Sequence, residues 1–230
     1  MARTALITGA SRGLGLALSR ALAQRGWNLV LTARHADALE EVRLELSQHT
    51  RVSALPGDVS SEAHAQALVH AARALGPLEA LVNNASTLGL SPQPSLEHFP
   101  LETFEQVYRV NVFAPLRLIQ LAAPLLGSSA RVLNLSSDAG VEGYAGWGGY
   151  GSSKAALEQL SKVLAVEKPE WRVYWVDPGD MRTQMHQDAF PGEDISDRPP
   201  PEVSVPGLLR LLEGDLPSGR YQAQNMEVSA

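Results

Sequence analysis

Apolar residues along this chain fall into two alternating patterns. Short, nearly continuous apolar runs are typical of buried β-strands, and longer stretches with apolar residues every three or four positions are typical of α-helices. The predicted strands are residues 5–8, 28–32, 51–55, 80–82, 131–135, 172–176 and 220–223. The predicted helices are residues 14–25, 36–48, 62–75, 101–126, 150–167 and 205–213.

This alternation predicts a parallel sheet covered by helices on both faces, because parallel strands need long crossover connections. With 230 residues, the chain is long enough for one sizeable core and short for two domains. We expect a single α/β domain over residues 1–230, a doubly wound parallel sheet in three layers. Residues 184–206 hold five prolines and lack a clear period, and we predict that they form a long loop that serves as a substrate lid.

The composition narrows the range of partners. A net charge of −6 argues against nucleic acid, because phosphate binding needs clustered positive charge. The chain has no cysteine, which excludes thiolate catalysis and disulfides, and we expect no metal site. No stretch approaches the roughly 18 apolar residues of a membrane span, and no signal-peptide pattern precedes the first strand. We therefore expect a cytoplasmic protein that binds neither nucleic acid nor membrane.

A glycine-rich turn lies between the first predicted strand and the first predicted helix. Its candidate binding residues are Gly9, Ser11, Arg12, Gly13, Leu14 and Gly15. The glycines would let the backbone turn tightly and approach a dinucleotide pyrophosphate, which the free N–H groups of the helix would bind. The spacing differs from the common Gly-x-Gly-x-x-Gly, and a glycine-rich turn can also be purely structural. Its place between strand and helix favours a nucleotide site.

The end of the second predicted strand distinguishes between cofactors. NAD-binding chains usually carry an acid about 20 residues after the turn, which grips the ribose 2′-hydroxyl. Here Arg34 follows two residues after that strand, and the first acid is Asp37. Arg34 and Arg12 can instead pair with a 2′-phosphate, although each can also be an ordinary solvated charge. The sequence therefore favours NADP(H).

Tyr150 and Lys154 stand four residues apart in a predicted helix, so they project from the same face. Tyrosine, with a pKa near 10, is a poor base at neutral pH, and a neighbouring ammonium lowers that pKa by favouring the phenolate. Alone, such a pair is more often a surface feature. Ser137 follows the fifth predicted strand, at the carboxyl edge where open α/β sheets bind ligands. The three residues together indicate proton transfer to and from a bound substrate.

The chain is similar to the classical short-chain dehydrogenase/reductase family from Thr4 to about Thr183. The matching pieces, in order, are the glycine-rich turn, Asp58-Val59, Asn83-Asn84-Ala85, Asn111, Ser137, Tyr150-x-x-x-Lys154 and Pro178-Gly179. Each piece alone is weak, but their order and spacing together are specific. The resemblance implies a Rossmann-like fold and an NADP(H)-dependent oxidoreductase that moves a hydride between the nicotinamide and a carbonyl or secondary alcohol.

The resemblance also implies roles for the catalytic residues. Tyr150 would be the general acid in reduction and the base in oxidation. Lys154 would hold the nicotinamide ribose and lower the tyrosine pKa. Ser137 would orient the carbonyl, and Asn111 would anchor a water in a proton relay to Lys154.

Further residues are placed along the cofactor by the same resemblance. Asp58 and Val59 would lie by the adenine. Asn84 and Ala85 would lie beside the adenosine-side ribose. The nicotinamide end would be flanked by Pro178, Gly179 and Thr183.

Two departures from the family affect the substrate end. Ser86 stands where the family usually has glycine, and the chain is shorter than usual after Thr183. We expect the pocket to be built from residues 86–90, residues 138–149 and the lid. Tyr144 and Trp147 are candidate walls for an apolar substrate, or else core or interface aromatics.

Other functions and partners remain open from sequence alone. An NADP-binding regulatory or signalling protein with little turnover is the main alternative, although such relatives typically lose the tyrosine or lysine. A sugar epimerase or dehydratase is a further alternative, for which residues 184–230 leave little room. By resemblance we also expect a homodimer or homotetramer that pairs through residues 101–126 and 150–167.

Overall fold

The computed structural model describes residues 2–226 of the chain. In this part a single sheet of seven parallel strands has the order β3-β2-β1-β4-β5-β6-β7. The strands are β1 (Thr4–Thr8), β2 (Asn28–Ala33), β3 (Val52–Pro56), β4 (Leu78–Asn83), β5 (Leu126–Leu135), β6 (Arg172–Asp177) and β7 (Gly219–Gln222). The order reverses direction between β1 and β4, which makes that position the topological switch point where doubly wound sheets bind ligands.

Helices cover both faces of the sheet. They are α1 (Gly13–Gln24), α2 (Ala36–Leu46), α3 (Glu62–Leu75), α4 (Leu101–Tyr108), α5 (Ala114–Ala122), α6 (Gly148–Glu167), α7 (Gln184–Ala189) and α8 (Val205–Glu213). Short 3₁₀ turns occupy Leu96–His98, Ala123–Leu125, Asp138–Gly140, Pro201–Ser204 and Ala223–Asn225. No helix within residues 2–226 is both long and apolar enough to cross a membrane.

The alternation of side chains along the central strand builds two cores. Ile7 of β1 faces a core with Leu18 of α1 and Leu208 of α8, whereas its neighbour Leu6 faces a core with Leu68 of α3 on the other side. This alternation follows from the two-residue period of a strand. The prediction of a doubly wound parallel sheet in three layers is therefore confirmed.

The continuous helix predicted for residues 101–126 is wrong. A π-helical turn at Arg109–Phe113 separates α4 from α5, and β5 already begins at Leu126. Pro115 lies in the first turn of α5, and it has no N–H to donate to the carbonyl of Asn111 four residues earlier. The apolar periodicity of both helices continues across this break, so periodicity alone did not reveal it.

The segment 184–206 also differs from the structureless loop that we predicted. Its first part forms α7, where the Thr183 side chain accepts a hydrogen bond from the His186 N–H at the helix start. Its last part contains the 3₁₀ turn Pro201–Ser204. These elements are too short for periodicity to detect, and the helix-start signal of Thr183 was the available clue.

Candidate active site

A single cavity of about 750 Å³ runs along the carboxyl ends of the strands on both sides of the switch point. This volume lies in the range of small-molecule sites. Its walls include most of the sequence-predicted residues, namely Gly9, Ser11, Arg12, Gly13, Leu14, Arg34, Asp58, Val59, Asn84, Ala85, Ser137, Tyr150, Lys154, Pro178, Gly179 and Thr183. Gly15 and Asn111 are not among the lining residues.

The glycine-rich turn is held in shape by its neighbours. Gly9 and Gly13 have φ angles of +67° and +55°, the left-handed region that favours glycine. Gly15 lies against the turn itself, and a Cβ there would overlap the Gly9 carbonyl oxygen. The Asn84 amide donates to the carbonyl oxygens of Thr8 at 2.8 Å and Gly9 at 3.1 Å. Gly15 and Asn84 therefore help to hold the shape of this turn.

Two arginines border the cavity near the end of β2. The side chains of Arg12 and Arg34 are exposed and line the cavity. Within residues 2–226, neither side chain forms a hydrogen bond or an ion pair. Asp37, the first acid after β2, lies in the first turn of α2 and does not line the cavity. This end of the cavity thus offers two uncompensated cations to a ligand anion.

The carboxylate of Asp58 is already engaged within its own loop. It accepts hydrogen bonds from both the backbone N–H and the hydroxyl of Ser60, each at 2.8 Å. The neighbouring Val59 is buried and lines the cavity. Asp58 therefore fixes the loop that forms this wall.

At the other end of the cavity, α6 buries both members of the Tyr-x-x-x-Lys pair. Tyr150 is 7% exposed and Lys154 is 3% exposed. The Lys154 Nζ donates to the Leu135 carbonyl oxygen at 2.7 Å and lies 5.3 Å from the centre of the Tyr150 ring. A long polar side chain is thus held beneath the ring at the end of β5.

Burial determines the protonation of this pair. It raises the pKa of Tyr150 above its usual value of 10, and interactions with the Ser86 and Ser137 side chains only partly offset the rise. Burial also lowers the pKa of Lys154 to about 7. Both shifts favour the neutral form, because a low-dielectric site disfavours charge.

The Ser137 hydroxyl has an unexpected partner. It donates to the carboxylate of Asp138 at 2.8 Å, and the same carboxylate accepts a hydrogen bond from the Tyr144 hydroxyl at 3.0 Å. The backbone N–H of Ala139 donates to the Ser137 oxygen at 3.2 Å. To reach a substrate oxygen, the Ser137 proton must therefore turn away from Asp138.

The Asn111 side chain is saturated by protein partners. Its carbonyl oxygen accepts from the Thr87 N–H at 2.9 Å and from the Ser86 hydroxyl at 3.1 Å. Its amide nitrogen donates to the Thr87 carbonyl oxygen at 2.9 Å and to the Ser153 oxygen at 3.0 Å. A water anchored by Asn111 would therefore have to bind its backbone carbonyl, because the amide has no free position.

A buried ionic network that the sequence did not reveal lies behind Ser137. The carboxylate of Glu158, one turn after Lys154 on α6, accepts from Ser136 at 2.7 Å and from the Arg220 Nε at 3.0 Å. Arg220 also donates to the Ser137 carbonyl oxygen at 3.2 Å. The network fixes the end of β5 from the side of β7.

The substrate end of the cavity is largely apolar around the Tyr150 ring. Leu88 packs in one cluster with Tyr150, and Trp147, Met185 and Ala189 pack against it. The Trp147 ring centre lies 5.7 Å from that of Tyr150. Trp147 therefore forms part of the wall, whereas Tyr144 does not line the cavity.

A family description named short chain dehydrogenase matches residues 3–194. This chain belongs to the short-chain dehydrogenase family. Its members are oxidoreductases, and the described fold and cavity agree with that membership.

Individual relatives support the assignment. The rhamnolipids biosynthesis 3-oxoacyl-(acyl-carrier-protein) reductase of Pseudomonas aeruginosa is 41% identical over 180 residues, 72% of this chain and 66% of that protein. The matched part of this chain thus spans just under two thirds of that relative. A structure described as a short chain dehydrogenase from Pseudomonas syringae has a TM-score of 0.90 and 33% identity, and covers 96% of this chain and 94% of that one.

A further solved structure carries a cofactor. It is described as a short chain dehydrogenase from Shigella flexneri complexed with NADP. Its TM-score is 0.87 and its identity is 30%, and the match covers 96% of this chain and 97% of that one.

Proposed function

We propose that the protein is an NADP(H)-dependent oxidoreductase that transfers a hydride between the nicotinamide and a carbonyl or secondary alcohol. The observation that carries the proposal is the difference between the two ends of one cavity. Two uncompensated arginines, Arg12 and Arg34, stand at one end, and Ser137 and Tyr150 stand at the other. The NADP complex of the Shigella flexneri relative supports the same cofactor.

The residues present fit this cofactor. Gly9 and Gly13 open the turn toward the start of α1, whose free N–H groups favour a pyrophosphate. Arg12 and Arg34 would hold the 2′-phosphate through charge-assisted hydrogen bonds. Lys154 would hold the nicotinamide ribose. When bound, the cofactor supplies or accepts the hydride.

In the reductive direction, Tyr150 donates its proton to the carbonyl oxygen as the carbonyl carbon gains the hydride. Its raised pKa keeps the hydroxyl protonated at neutral pH, ready to act as an acid. Ser137 turns its hydroxyl from Asp138 toward the same oxygen and stabilises the developing negative charge. A donor of this kind contributes on the order of 100-fold or more in rate.

The substrate end favours an apolar, uncharged carbonyl compound. Leu88, Trp147 and Met185 supply apolar contact beside Tyr150. The exposed carboxylates of Asp138 and Asp180 line the same end of the cavity. Asp180 lies 3.7 Å from the Arg198 Nε, so the Asp138 carboxylate beside Ser137 is the charge that would repel an anionic substrate, because like charges at close range are destabilising.

NADPH oxidation against a panel of aldehydes and ketones tests this function. We expect turnover of benzaldehyde to exceed that of its para-carboxylate analogue by about tenfold or more in kcat/KM. The pair shares its ring and reacting group, so the comparison isolates the added charge. Equal or inverted preference contradicts the substrate class. Tight NADPH binding without turnover of any carbonyl contradicts the oxidoreductase proposal and favours a regulatory protein.

Arg34→Ala tests the cofactor choice. Loss of charge-assisted hydrogen bonds, each worth about 1.5–3 kcal/mol, should lower kcat/KM for NADPH by roughly 10- to 100-fold with little change for NADH. Steady-state kinetics with both cofactors measures the ratio. Arg51→Ala is the matched control, because Arg51 is exposed at the opposite, amino edge of the sheet and does not line the cavity. An unchanged NADPH preference in Arg34→Ala overturns the assignment.

We also propose a homodimer or homotetramer and a lid function for residues 184–206. Leu101, Phe113 and Val166 leave large exposed apolar surface on α4, the π-helical turn and α6, which supports pairing through these elements. In the segment 184–206, Met185 and Ala189 of α7 line the cavity, which supports its role as a substrate lid.

A further inference from the structure

Arg220 lies on β7, the strand at one edge of the sheet, and reaches the end of β5 without lining the cavity. Its Nε donates to the Glu158 carboxylate of α6 at 3.0 Å, and a terminal nitrogen donates to the Ser137 carbonyl oxygen at 3.2 Å. The same terminal nitrogen lies 3.7 Å from the Asp177 carboxylate at the end of β6. One guanidinium therefore connects α6 with the carboxyl ends of β5 and β6.

The Ser137 carbonyl lies beyond the hydrogen-bond ladder between β5 and β6. At the end of that ladder, the Ser136 N–H donates to the Val176 carbonyl oxygen at 2.7 Å. The Ser137 carbonyl oxygen accepts instead from the Gly140 N–H at 3.1 Å and from Arg220. Gly140 belongs to the short turn that Ser137 itself begins. The bond from Arg220 therefore ties the Ser137 peptide to another strand of the sheet.

A buried carboxylate holds the guanidinium in place. The Glu158 side chain is 4% exposed and accepts from the Ser136 hydroxyl at 2.7 Å as well as from Arg220. A carboxylate at this depth needs a partner, because an unpaired buried charge is strongly destabilising. Arg220 uses different nitrogens for Glu158 and for the Ser137 carbonyl, so its planar, rigid guanidinium fixes the spacing between them.

The proposed reaction depends on that spacing. Ser137 and Tyr150 have to reach one substrate oxygen, yet Ser137 follows β5 and Tyr150 lies on α6. Glu158 lies further along the same helix as Tyr150, so the Arg220 contacts join the helix of the tyrosine to the backbone of the serine. A misplacement of about 1 Å can slow an enzyme on the order of 100-fold.

We infer that Arg220 is a positioning residue, which places the Ser137 hydroxyl for the substrate oxygen by holding the Ser137 peptide against α6 through Glu158. The inference rests on the proposed oxidoreductase function. It predicts that loss of the guanidinium lowers the turnover of folded enzyme. A merely structural Arg220 would affect the stability of the protein and leave the turnover of its folded fraction unchanged.

The test compares Arg220→Lys and Arg220→Met, with the carbonyl compound of the panel that the wild type reduces best. We expect both variants to lose about tenfold in kcat, with KM for NADPH changed by less than about twofold. Lysine keeps a positive charge for Glu158 but has no second nitrogen for the Ser137 carbonyl, so the thermal midpoint of Arg220→Lys should stay near that of the wild type. Arg220→Met should also lower the thermal midpoint, because it leaves Glu158 unpaired.

A double-mutant cycle with Ser137→Ala shows whether Arg220 acts through the serine. Ser137→Ala alone should lose on the order of 100-fold in kcat. Adding Arg220→Lys to Ser137→Ala should cost little more, because no hydroxyl remains to be placed. Losses that multiply independently would overturn the inference, since Arg220 would then affect turnover by another route.

Arg172→Lys is the matched control. Arg172 has a similar exposure, 33% against 27% for Arg220, and pairs with Asp215 at 2.8 Å, but it begins β6 at the amino edge of the sheet and does not line the cavity. Its kcat should equal that of the wild type. The inference is wrong if Arg220→Lys turns over at the wild-type rate, or if its loss is confined to KM for NADPH or to thermal stability. Either result leaves the proposed function standing. If the wild type reduces no carbonyl compound, the proposed function itself fails and the inference fails with it.

Discussion

Tyr150→Phe should lower turnover by about 10²–10⁴-fold, the contribution of a positioned general acid. The substitution removes one oxygen and keeps the ring that packs against Leu88 and Trp147. Lys154 should keep its place, since its Nζ is held by the Leu135 carbonyl rather than by the tyrosine hydroxyl. NADPH affinity should therefore change little, and the loss should appear in kcat.

Stopped-flow turnover together with NADPH titration separates these effects. Tyr108→Phe is the matched control, because Tyr108 ends α4 and does not line the cavity. We expect Tyr108→Phe to turn over at the wild-type rate. Turnover of Tyr150→Phe close to the wild type would contradict the assignment of the acid. A parallel loss of NADPH binding would mean instead that the hydroxyl supports the cofactor site.

The fold was predictable because its signals are local. Strands β1, β2, β4 and β6 each carry a run of at least three apolar residues, and Ile7 and Leu6 show how such a run fills cores on both faces of the sheet. The break between α4 and α5 was missed because apolar periodicity continues through it, although Pro115 marked it. The short helix α7 carried too few residues to show a period.

The site was predictable only where its residues form a spaced motif. Tyr150 and Lys154 lie on one helix, and their spacing alone places them together. Arg220 reaches Glu158 across 62 positions of sequence, and nothing local indicates this contact. Likewise, the turn of the Ser137 proton toward Asp138 depends on the local backbone at the end of β5. Such contacts arise from the tertiary fold, and the spacing of residues along the sequence does not predict them.

Lys154→Met should make the cofactor-free protein more stable while it abolishes most activity. In the folded protein, burial lowers the pKa of Lys154 from an ordinary 10.5 to about 7. The unfolded chain therefore binds a proton between pH 7 and 10.5 that the folded chain does not. Lys154 therefore lowers the free energy of unfolding progressively as the pH falls from 10.5 to 7. The cost is fully present below the folded pKa.

Methionine fills a similar volume and needs no charge, so it avoids this cost. We expect the free energy of unfolding to rise by on the order of 2–4 kcal/mol at pH 7, reduced by loss of the bond to the Leu135 carbonyl. The gain should vanish as the pH approaches 10.5. Denaturant unfolding at several pH values, without cofactor, measures it.

Lys162→Met is the matched control on the same helix, because Lys162 is exposed and should show no comparable gain. Saturating NADPH should stabilise the wild type more than Lys154→Met, since the ammonium would hold the ribose only in the wild type. A destabilised Lys154→Met at pH 7 would mean that the lysine is charged and satisfied in the folded protein. A gain in stability would instead show that the buried Lys154 is a cost to the fold, and under the proposed function the ribose that its ammonium would hold accounts for a lysine at this position.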